Sequence, residues 1–128
     1  MTIHPQTLSL FPETFAICRL KPGAALPLWA QTDPLFSITS TPDELSLVTR
    51  DQSIPADVQA DRGWRCFKLH GPIPFSLTGI LNSLTIPLAE ATIGIFAIST
   101  FDTDYVLVKE HDLPQALSTL TQAGHTIL

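Results

Sequence analysis

The chain has few charged residues and no excess of basic ones, and this narrows the classes of function it can serve. Only 15% of its 128 residues are charged, and seven Lys and Arg stand against twelve Asp and Glu, for a net charge of −5. Neutralisation of phosphate supplies most of the affinity of nucleic-acid-binding proteins. The acidic balance and the scattered basic residues therefore argue against DNA or RNA as a partner.

Long apolar runs are also missing. A transmembrane helix needs about 20 consecutive apolar residues, and the most apolar region of this chain is interrupted by Pro72, Pro74, Asn82, Pro87 and Glu90. The amino-terminal residues do not have the basic segment followed by an apolar one that marks a secretory signal. We therefore expect a cytoplasmic location and no membrane as partner.

Patterns typical of metal sites and catalytic nucleophiles are absent as well. The four histidines show neither H-x-x-x-H nor His-Cys spacing, and Ser76 lacks the G-x-S-x-G pattern of a nucleophilic serine. Asp102-x-Asp104 lacks the glycine and the distal glutamate of a calcium loop. Cys18 and Cys66 form no CxxC pair and are interpreted as small apolar residues in strands. We predict no cofactor, no metal and no enzymatic activity.

Apolar residues, by contrast, make up 45% of the chain, which excludes disorder and predicts a packed core. An internal repeat indicates how that core is organised. Residues 36–48 align with residues 96–108 without a gap, at an offset of 60. Each copy has two β-rich runs separated by a polar turn, which predicts two equivalent antiparallel hairpins.

A helix is predicted between the two hairpins. Leu and Ile recur at three- and four-residue steps from Leu77 to Leu88, which is the spacing of a helix with one apolar face. Ser76 is the predicted N-cap. Pro87 is expected to kink or break the last turn because it has no backbone N–H.

A second helix is predicted after the second hairpin. Asp112 is its candidate N-cap, Gln115 would complete a capping box, and Gly124 would end the helix. Residues 64–128 then have the order β-α-β-β-α-β, in which two helices cover one face of a four-stranded antiparallel sheet. The first half has shortened versions of the same elements. We predict an α+β fold of two ferredoxin-like units in tandem, a degenerate one at 1–62 and a complete one at 63–128.

Four strings carry a family resemblance: G-W-R at 63–65, K-L-H-G-P-I-P-F-S-L-T-G-I-L at 68–81, P-L-A at 87–89 and I-S-T-F-D-T-D-Y-V-L-V-K at 98–109. They resemble the small bacterial tandem ACT-domain proteins, which are related to the ACT modules of aspartate kinases and to the CASTOR arginine sensors. The resemblance implies a regulatory protein that senses an amino acid held between ACT units. The ligand-binding residues it implies are Gly71, Pro72, Ile73, Phe75 and Ser76 in the loop after a first strand, and Thr100, Phe101 and Asp104 at the hairpin.

The chemistry of these residues suits a zwitterion. The Gly71-Pro72 loop leads into the predicted helix, whose free N–H groups and positive end favour a carboxylate. Asp102 and Asp104, in the hairpin turn, can pair with an ammonium or guanidinium group. As the alternative, the turn residues only stabilise the turn, and Phe75 and Phe101 belong to the core.

The expected partner is a free amino acid, and a basic one is favoured if the two acids face the ligand. A homodimer is also expected, because ACT-like sheets continue across chains and this chain has many apolar residues for its size. The alternative function is a structural or protein-interaction module without a small-molecule ligand. In that case exposed sheet edges would pair with a partner chain.

Overall fold

A computed structural model describes residues 4–128. They divide into two units. The first, which we call the discontinuous unit, combines the residues up to Pro12 with Arg65–Leu128, and the second, the inserted unit, is Glu13–Trp64. One long strand begins in the inserted unit and ends in the discontinuous unit.

The discontinuous unit contains two α-helices and a mostly antiparallel sheet. Its elements are β1 (Thr7–Leu10), β5 (Ala60–Leu69), α1 (Ile80–Glu90), β6 (Ile95–Ser99), β7 (Asp104–Lys109), α2 (Leu113–Gln122) and β8 (Thr126–Ile127). Strand β1 pairs with β5 in antiparallel and with β8 in parallel orientation. Strand β7 pairs with β5 and β6. The order β-α-β-β-α-β predicted for residues 64–128 is confirmed.

The sheet of this unit has one more strand than predicted, because β1 lies between β5 and β8. The backbone of the amino-terminal segment bonds both neighbours: His70 N–H donates to Thr7 O, and Leu128 N–H donates to Leu8 O. Leu8 is fully buried in the core. The two-residue strand β8 thus joins the sheet by pairing with β1. Because β1 and β8 are parallel, the prediction of a wholly antiparallel sheet is wrong at this edge.

Both helices cover the same face of this sheet. Alternate residues of a strand point to one face, and the alternating positions of β5 and β7 meet the apolar stripes of α1 and α2. The core formed in this way comprises Leu8, Phe67, Leu69, Val106 and Val108 from strands and Ile80, Leu84, Leu88, Ala116 and Leu120 from helices.

Helix α1 begins later than predicted. Its N-cap is Gly79, at φ +80° in the left-handed region, and no side chain caps the helix. The prediction of Ser76 as the cap is therefore wrong: the chain first turns through the Leu77 N–H to Pro74 O hydrogen bond and then through Gly79. Glycine adopts such a positive φ without the strain that a side chain would bring. The helix continues through Pro87 to Glu90.

Helix α2 has the predicted cap residue without the predicted capping box. Asp112 is also the last residue of a 3-10 turn, Glu110–Asp112, and its backbone is already helical at φ −89° and ψ −7°. An N-capping side chain needs an extended backbone to reach back to the next turn, so no cap hydrogen bond forms. Gly124, at φ +102°, follows the last turn as predicted.

The inserted unit has strands without α-helices. Its elements are β2 (Phe15–Leu20), β3 (Ser37–Ser40), β4 (Leu45–Arg50) and the start of β5, with 3-10 turns at Leu28–Ala30 and Asp51–Ser53. The strand order is β3-β4-β2-β5, and neighbouring strands are antiparallel. A small core contains Ala16, Cys18, Ala30, Leu45, Leu47 and Ile54. Both cysteines are buried and free, Cys18 in β2 and Cys66 in β5.

The two hairpins exist as predicted, but the register of the repeat is 59 residues. Each hairpin has a four-residue turn between paired residues, Ser40 with Leu45 and Ser99 with Asp104. A threonine begins each turn: Thr41 N–H donates to Glu44 O, and Thr100 N–H donates to Thr103 O. The gap-free alignment at an offset of 60 was based on matching apolar residues. The threonine turns instead place the equivalent residues of the two hairpins 59 residues apart.

Candidate functional site

The discontinuous unit contains a cavity of about 300 Å³ where three of its segments meet. These segments are the loop after β5, the first turn of α1, and the turn between β6 and β7. The lining residues are Ile73, Pro74, Phe75, Leu77, Gly79, Ile80, Leu81, Asn82, Ser99, Thr100, Thr103 and Asp104. The volume is at the lower end of the range for small-molecule sites.

The loop and the hairpin turn are joined directly. The N–H of Ile73 donates to the carbonyl oxygen of Asp102 at 2.7 Å. A Cβ atom on Gly71 would lie 2.9 Å from the same oxygen and 3.2 Å from Thr103 Cβ, so a glycine is needed for this close approach. The two segments together form one wall of the cavity, and α1 forms another.

Two threonine hydroxyls of the turn have structural partners. Thr103 Oγ1 donates to Leu69 O at 2.7 Å and is buried, and Thr100 Oγ1 donates to Thr103 O at 3.1 Å. These bonds hold the turn in shape and fasten it to the end of β5. The observed hydrogen bonds of Thr100 and Thr103 are therefore those of residues that stabilise the turn.

Among the described residues that line the cavity, Asp104 is the only ionisable one. It is the first residue of β7, paired with Ser99 across the hairpin, and its Oδ1 accepts a hydrogen bond from Ser99 Oγ at 2.5 Å. Asp102, in contrast, is exposed and does not line the cavity; its carbonyl oxygen, rather than its carboxylate, has the defined contact. The cavity therefore carries one negative charge at its hairpin side.

The first turn of α1 supplies the opposite polarity. The first bond of the helix runs from Ser83 N–H to Gly79 O at 3.0 Å, so the N–H groups of Ile80, Leu81 and Asn82 have no acceptor within the helix. They lie at the positive end of the helix dipole. Gly79 and these three residues all line the cavity. The unbonded N–H groups expected near Ser76 thus begin four residues further along the chain, at Ile80.

Phe75 and Phe101 lie outside the core. Their rings meet edge to face with centroids 5.3 Å apart, and the residues are 74% and 82% exposed. The interpretation of both as core residues is therefore wrong. Ile73 is the residue of this loop that packs against the core, whereas the two aromatic rings contact each other instead. Leu77, 51% exposed, is a further apolar residue of the same loop.

The structure brings together part of the predicted site. The predicted residues that line the cavity are Ile73, Phe75, Thr100 and Asp104. The predicted residues that do not line it are Gly71, Pro72, Ser76, Phe101 and Asp102. Sequence reasoning missed the start of α1 and Ser99. The glycine at 79, a residue typical of left-handed positions next to a helix, is the signal that could have located the helix start.

A second, larger cavity of about 520 Å³ lies in the inserted unit, on strands β2, β4 and β5. Its charged residues are Arg19, Glu44, Asp61 and Arg62. Arg62 pairs with Asp51 at 2.6 Å and so has a partner within the unit.

No group of three or more His, Cys, Asp or Glu side chains placed to hold a metal ion occurs within residues 4–128. In the same part of the chain neither helix is long and apolar enough to cross a membrane.

An α+β unit with a largely antiparallel sheet and two helices on one face defines an ACT-like fold. The family model described as ACT domain matches residues 59–122, half of the chain, and the protein belongs to the ACT-domain family. A second family model, for an N-terminal domain, matches residues 13–57.

A crystal structure from Agobacterium tumefaciens is similar along almost the whole chain. It has 43% identity and a TM-score of 0.93, and the match covers 98% of this chain and 93% of that one. The ligand-free regulatory subunit of aspartate kinase from Thermus thermophilus has a similar fold, with 11% identity, a TM-score of 0.63, and coverage of 91% and 96%.

Among curated relatives is the human cytosolic arginine sensor for mTORC1 subunit 1, 28% identical over 120 residues. That match covers 74% of this chain and 36% of the human protein. Human CASTOR3P is 29% identical over 99 residues, covering 67% of this chain and 61% of that protein. The chain thus spans between about a third and three fifths of the length of these relatives.

Proposed function

We propose that this protein is a regulatory module that binds a free amino acid in the cavity between the start of α1 and the β6–β7 hairpin. The observation that carries the proposal is the polarity of the cavity. Free N–H groups at the positive end of α1 line one side of it, and the Asp104 carboxylate lines another. An amino acid carries complementary charges on adjacent groups.

In this arrangement the α-carboxylate of the ligand accepts hydrogen bonds from the N–H groups of Ile80 to Asn82. Asp104 uses Oδ1 for Ser99, and its second oxygen is available to an ammonium or guanidinium group. Ile73 and Phe75 contribute apolar contacts to the body of the ligand. The ring of Phe75 is supported by Phe101, which gives Phe101 an indirect part in the site.

A basic amino acid is the favoured ligand. Within residues 4–128 the lining contains one acid and no Lys or Arg, so an acidic side chain would be repelled whereas a cationic one would be attracted. The human relative whose name describes an arginine sensor supports the same class. Its cytosolic location supports a cytoplasmic role here. The name of that relative, a sensor, supports a module that regulates a partner rather than one that catalyses a reaction.

We further infer that the chain is a tandem of two ACT units of ferredoxin-like type, divided in sequence as domains 1–62 and 63–128, with the first reduced in its helices and its strand β1 paired in the sheet of the second. The matching four-residue turns that begin at Thr41 and Thr100 support this tandem organisation.

We also propose a homodimer in solution. Sedimentation equilibrium should give about twice 14.0 kDa, and a monomer at micromolar concentration would contradict the proposal.

The second candidate function is a protein-interaction module. The observation in its favour is the exposed apolar group formed by Phe75, Leu77 and Phe101, since such groups often mark docking surfaces. Under this function no amino acid stabilises the protein, and Phe101→Ser changes the binding of a partner chain without any effect of metabolites.

A thermal-shift screen with the twenty amino acids separates the two functions. A ligand at 100 times its dissociation constant adds about 2.7 kcal/mol of stability, which raises Tm by several degrees in a domain of this size. Asp104→Asn should abolish the rise while Asp57→Asn, in an exposed loop of the inserted unit, should retain it. A flat response of the unaltered protein to all twenty would contradict amino-acid binding.

A further inference from the structure

His125 is buried and uses both nitrogens of its ring. Only 3% of the residue is exposed. Its Nδ1 accepts a hydrogen bond from the backbone N–H of Gln6 at 3.0 Å, and its Nε2 lies 2.9 Å from the carbonyl oxygen of Ser83. A backbone N–H can only donate and a carbonyl can only accept. Nδ1 therefore acts as the acceptor, and Nε2 donates to the Ser83 carbonyl oxygen.

The Ser83 carbonyl is free to accept this bond because of Pro87. In an α-helix a carbonyl accepts from the N–H four residues later, and the residue four after Ser83 is Pro87, which has no N–H. In a helix a proline ring also crowds the carbonyl group four residues before it. His125 thus supplies from outside the helix the hydrogen bond that the sequence of α1 omits.

Ser83 connects this bond to the cavity. It follows Asn82, and its N–H and Oγ donate to Gly79 O at 3.0 Å and Ile80 O at 2.5 Å. All three of these neighbours line the cavity. The first turn of α1 begins at the left-handed Gly79, and the helical hydrogen bond that would follow it, from residue 87 to Ser83 O, is missing because Pro87 has no N–H. The His125 contact therefore supports the part of the helix with the fewest backbone hydrogen bonds.

We propose that His125 is a positioning residue for the ligand site: it holds the Ser83 carbonyl and thereby sets the direction of the Ile80 to Asn82 N–H groups at the cavity. This role rests on the proposed amino-acid binding. The bond from Gln6 fixes which ring nitrogen carries the proton, so the amino-terminal segment selects the form of the ring that can donate to α1.

Two variants, each of which keeps one of the two hydrogen-bonding positions of the His125 ring, test the proposal. Their affinity for arginine is measured by isothermal titration calorimetry. In His125→Gln the side-chain amide nitrogen can occupy the place of Nε2 and donate to Ser83. In His125→Asn the side-chain oxygen can occupy the place of Nδ1 and accept from Gln6, but no donor reaches Ser83. We expect His125→Gln to bind arginine within about threefold of the unaltered protein and His125→Asn roughly tenfold more weakly, the loss of about one net hydrogen bond.

Pro87→Ala provides the rescue. It returns an N–H four residues after Ser83, so the helix can satisfy the carbonyl itself, and the double variant His125→Asn with Pro87→Ala should recover most of the lost affinity. Equal weakening in the Gln and Asn variants, or no recovery with Pro87→Ala, would overturn the positioning role. Failure of the unaltered protein to bind any amino acid would instead refute the proposed function. In every variant, circular dichroism and ligand-free Tm verify that the protein is folded.

Discussion

Replacing Gly71 by alanine tests the junction between the loop and the hairpin turn. The added Cβ would lie 2.9 Å from Asp102 O, 3.2 Å from Ile73 N and 3.2 Å from Thr103 Cβ. Two of these atoms are backbone, and Thr103 is fixed by its bond to Leu69 O, so none of them can rotate away. The loop must move by several tenths of an ångström from the turn.

The expected cost has two parts. Overpacking of a tight site costs about 1–3 kcal/mol, and displacement of the loop weakens the 2.7 Å bond from Ile73 to Asp102, which contributes about 1 kcal/mol. The free energy of unfolding should therefore fall by roughly 2–4 kcal/mol. At roughly 4 °C of Tm for each kcal/mol in a domain of this size, Tm should fall by about 10 °C.

Gly94→Ala is the matched control, because a Cβ there meets nothing within 4 Å and no positive φ is involved. Its stability should change by less than about 0.5 kcal/mol. Thermal unfolding followed by circular dichroism compares the two variants under one set of conditions. If Gly71→Ala melts within a degree or two of Gly94→Ala, the close approach of loop and turn is refuted.

Two further predictions concern the core. Leu84→Ala removes a fully buried side chain of α1 and should cost about 2–5 kcal/mol in urea unfolding; a cost under about 1 kcal/mol would contradict its place in the core. Burial raises the pKa of Cys66 from 9.0 to about 12, so only the unfolded state releases this proton between pH 9 and 12. The contribution of Cys66 to the free energy of unfolding should be constant below about pH 9 and fall above it. Urea midpoints from pH 8 to 11 should fall less steeply for Cys66→Ala, and equal slopes would show that the thiol does not contribute.

The regular elements of the discontinuous unit could be predicted because their patterns are local. Alternation in β6 and β7 and the helical spacing of the apolar residues in α1 and α2 identified these elements. The register of the repeat depended on the threonine turns at Thr41 and Thr100, a weaker pattern than the apolar residues that were aligned. The start of α1 depended on Gly79, whose left-handed backbone is compatible with either loop or cap.

The parts that could not be predicted depend on contacts between distant residues. Strand β1 lies beside β8 at the other end of the chain, and no local pattern links them. The loss of the Pro87 N–H was predictable, but the use of the freed Ser83 carbonyl by His125 was not. At the cavity, Asp104 was expected from the family resemblance and from its chemistry, whereas the unbonded N–H groups of α1 were placed too early because the helix starts later than predicted.

Titration of ¹⁵N-labelled protein with arginine, followed by two-dimensional NMR, tests the central claim most directly. The account predicts that the largest amide shifts occur among residues that line the cavity of the discontinuous unit, namely Gly79 to Asn82, Ser99, Thr100, Thr103 and Asp104. Asp104→Asn should greatly reduce them. Shifts centred on the Arg19 and Arg62 cavity of the inserted unit, or no shifts with any of the twenty amino acids, would contradict the account.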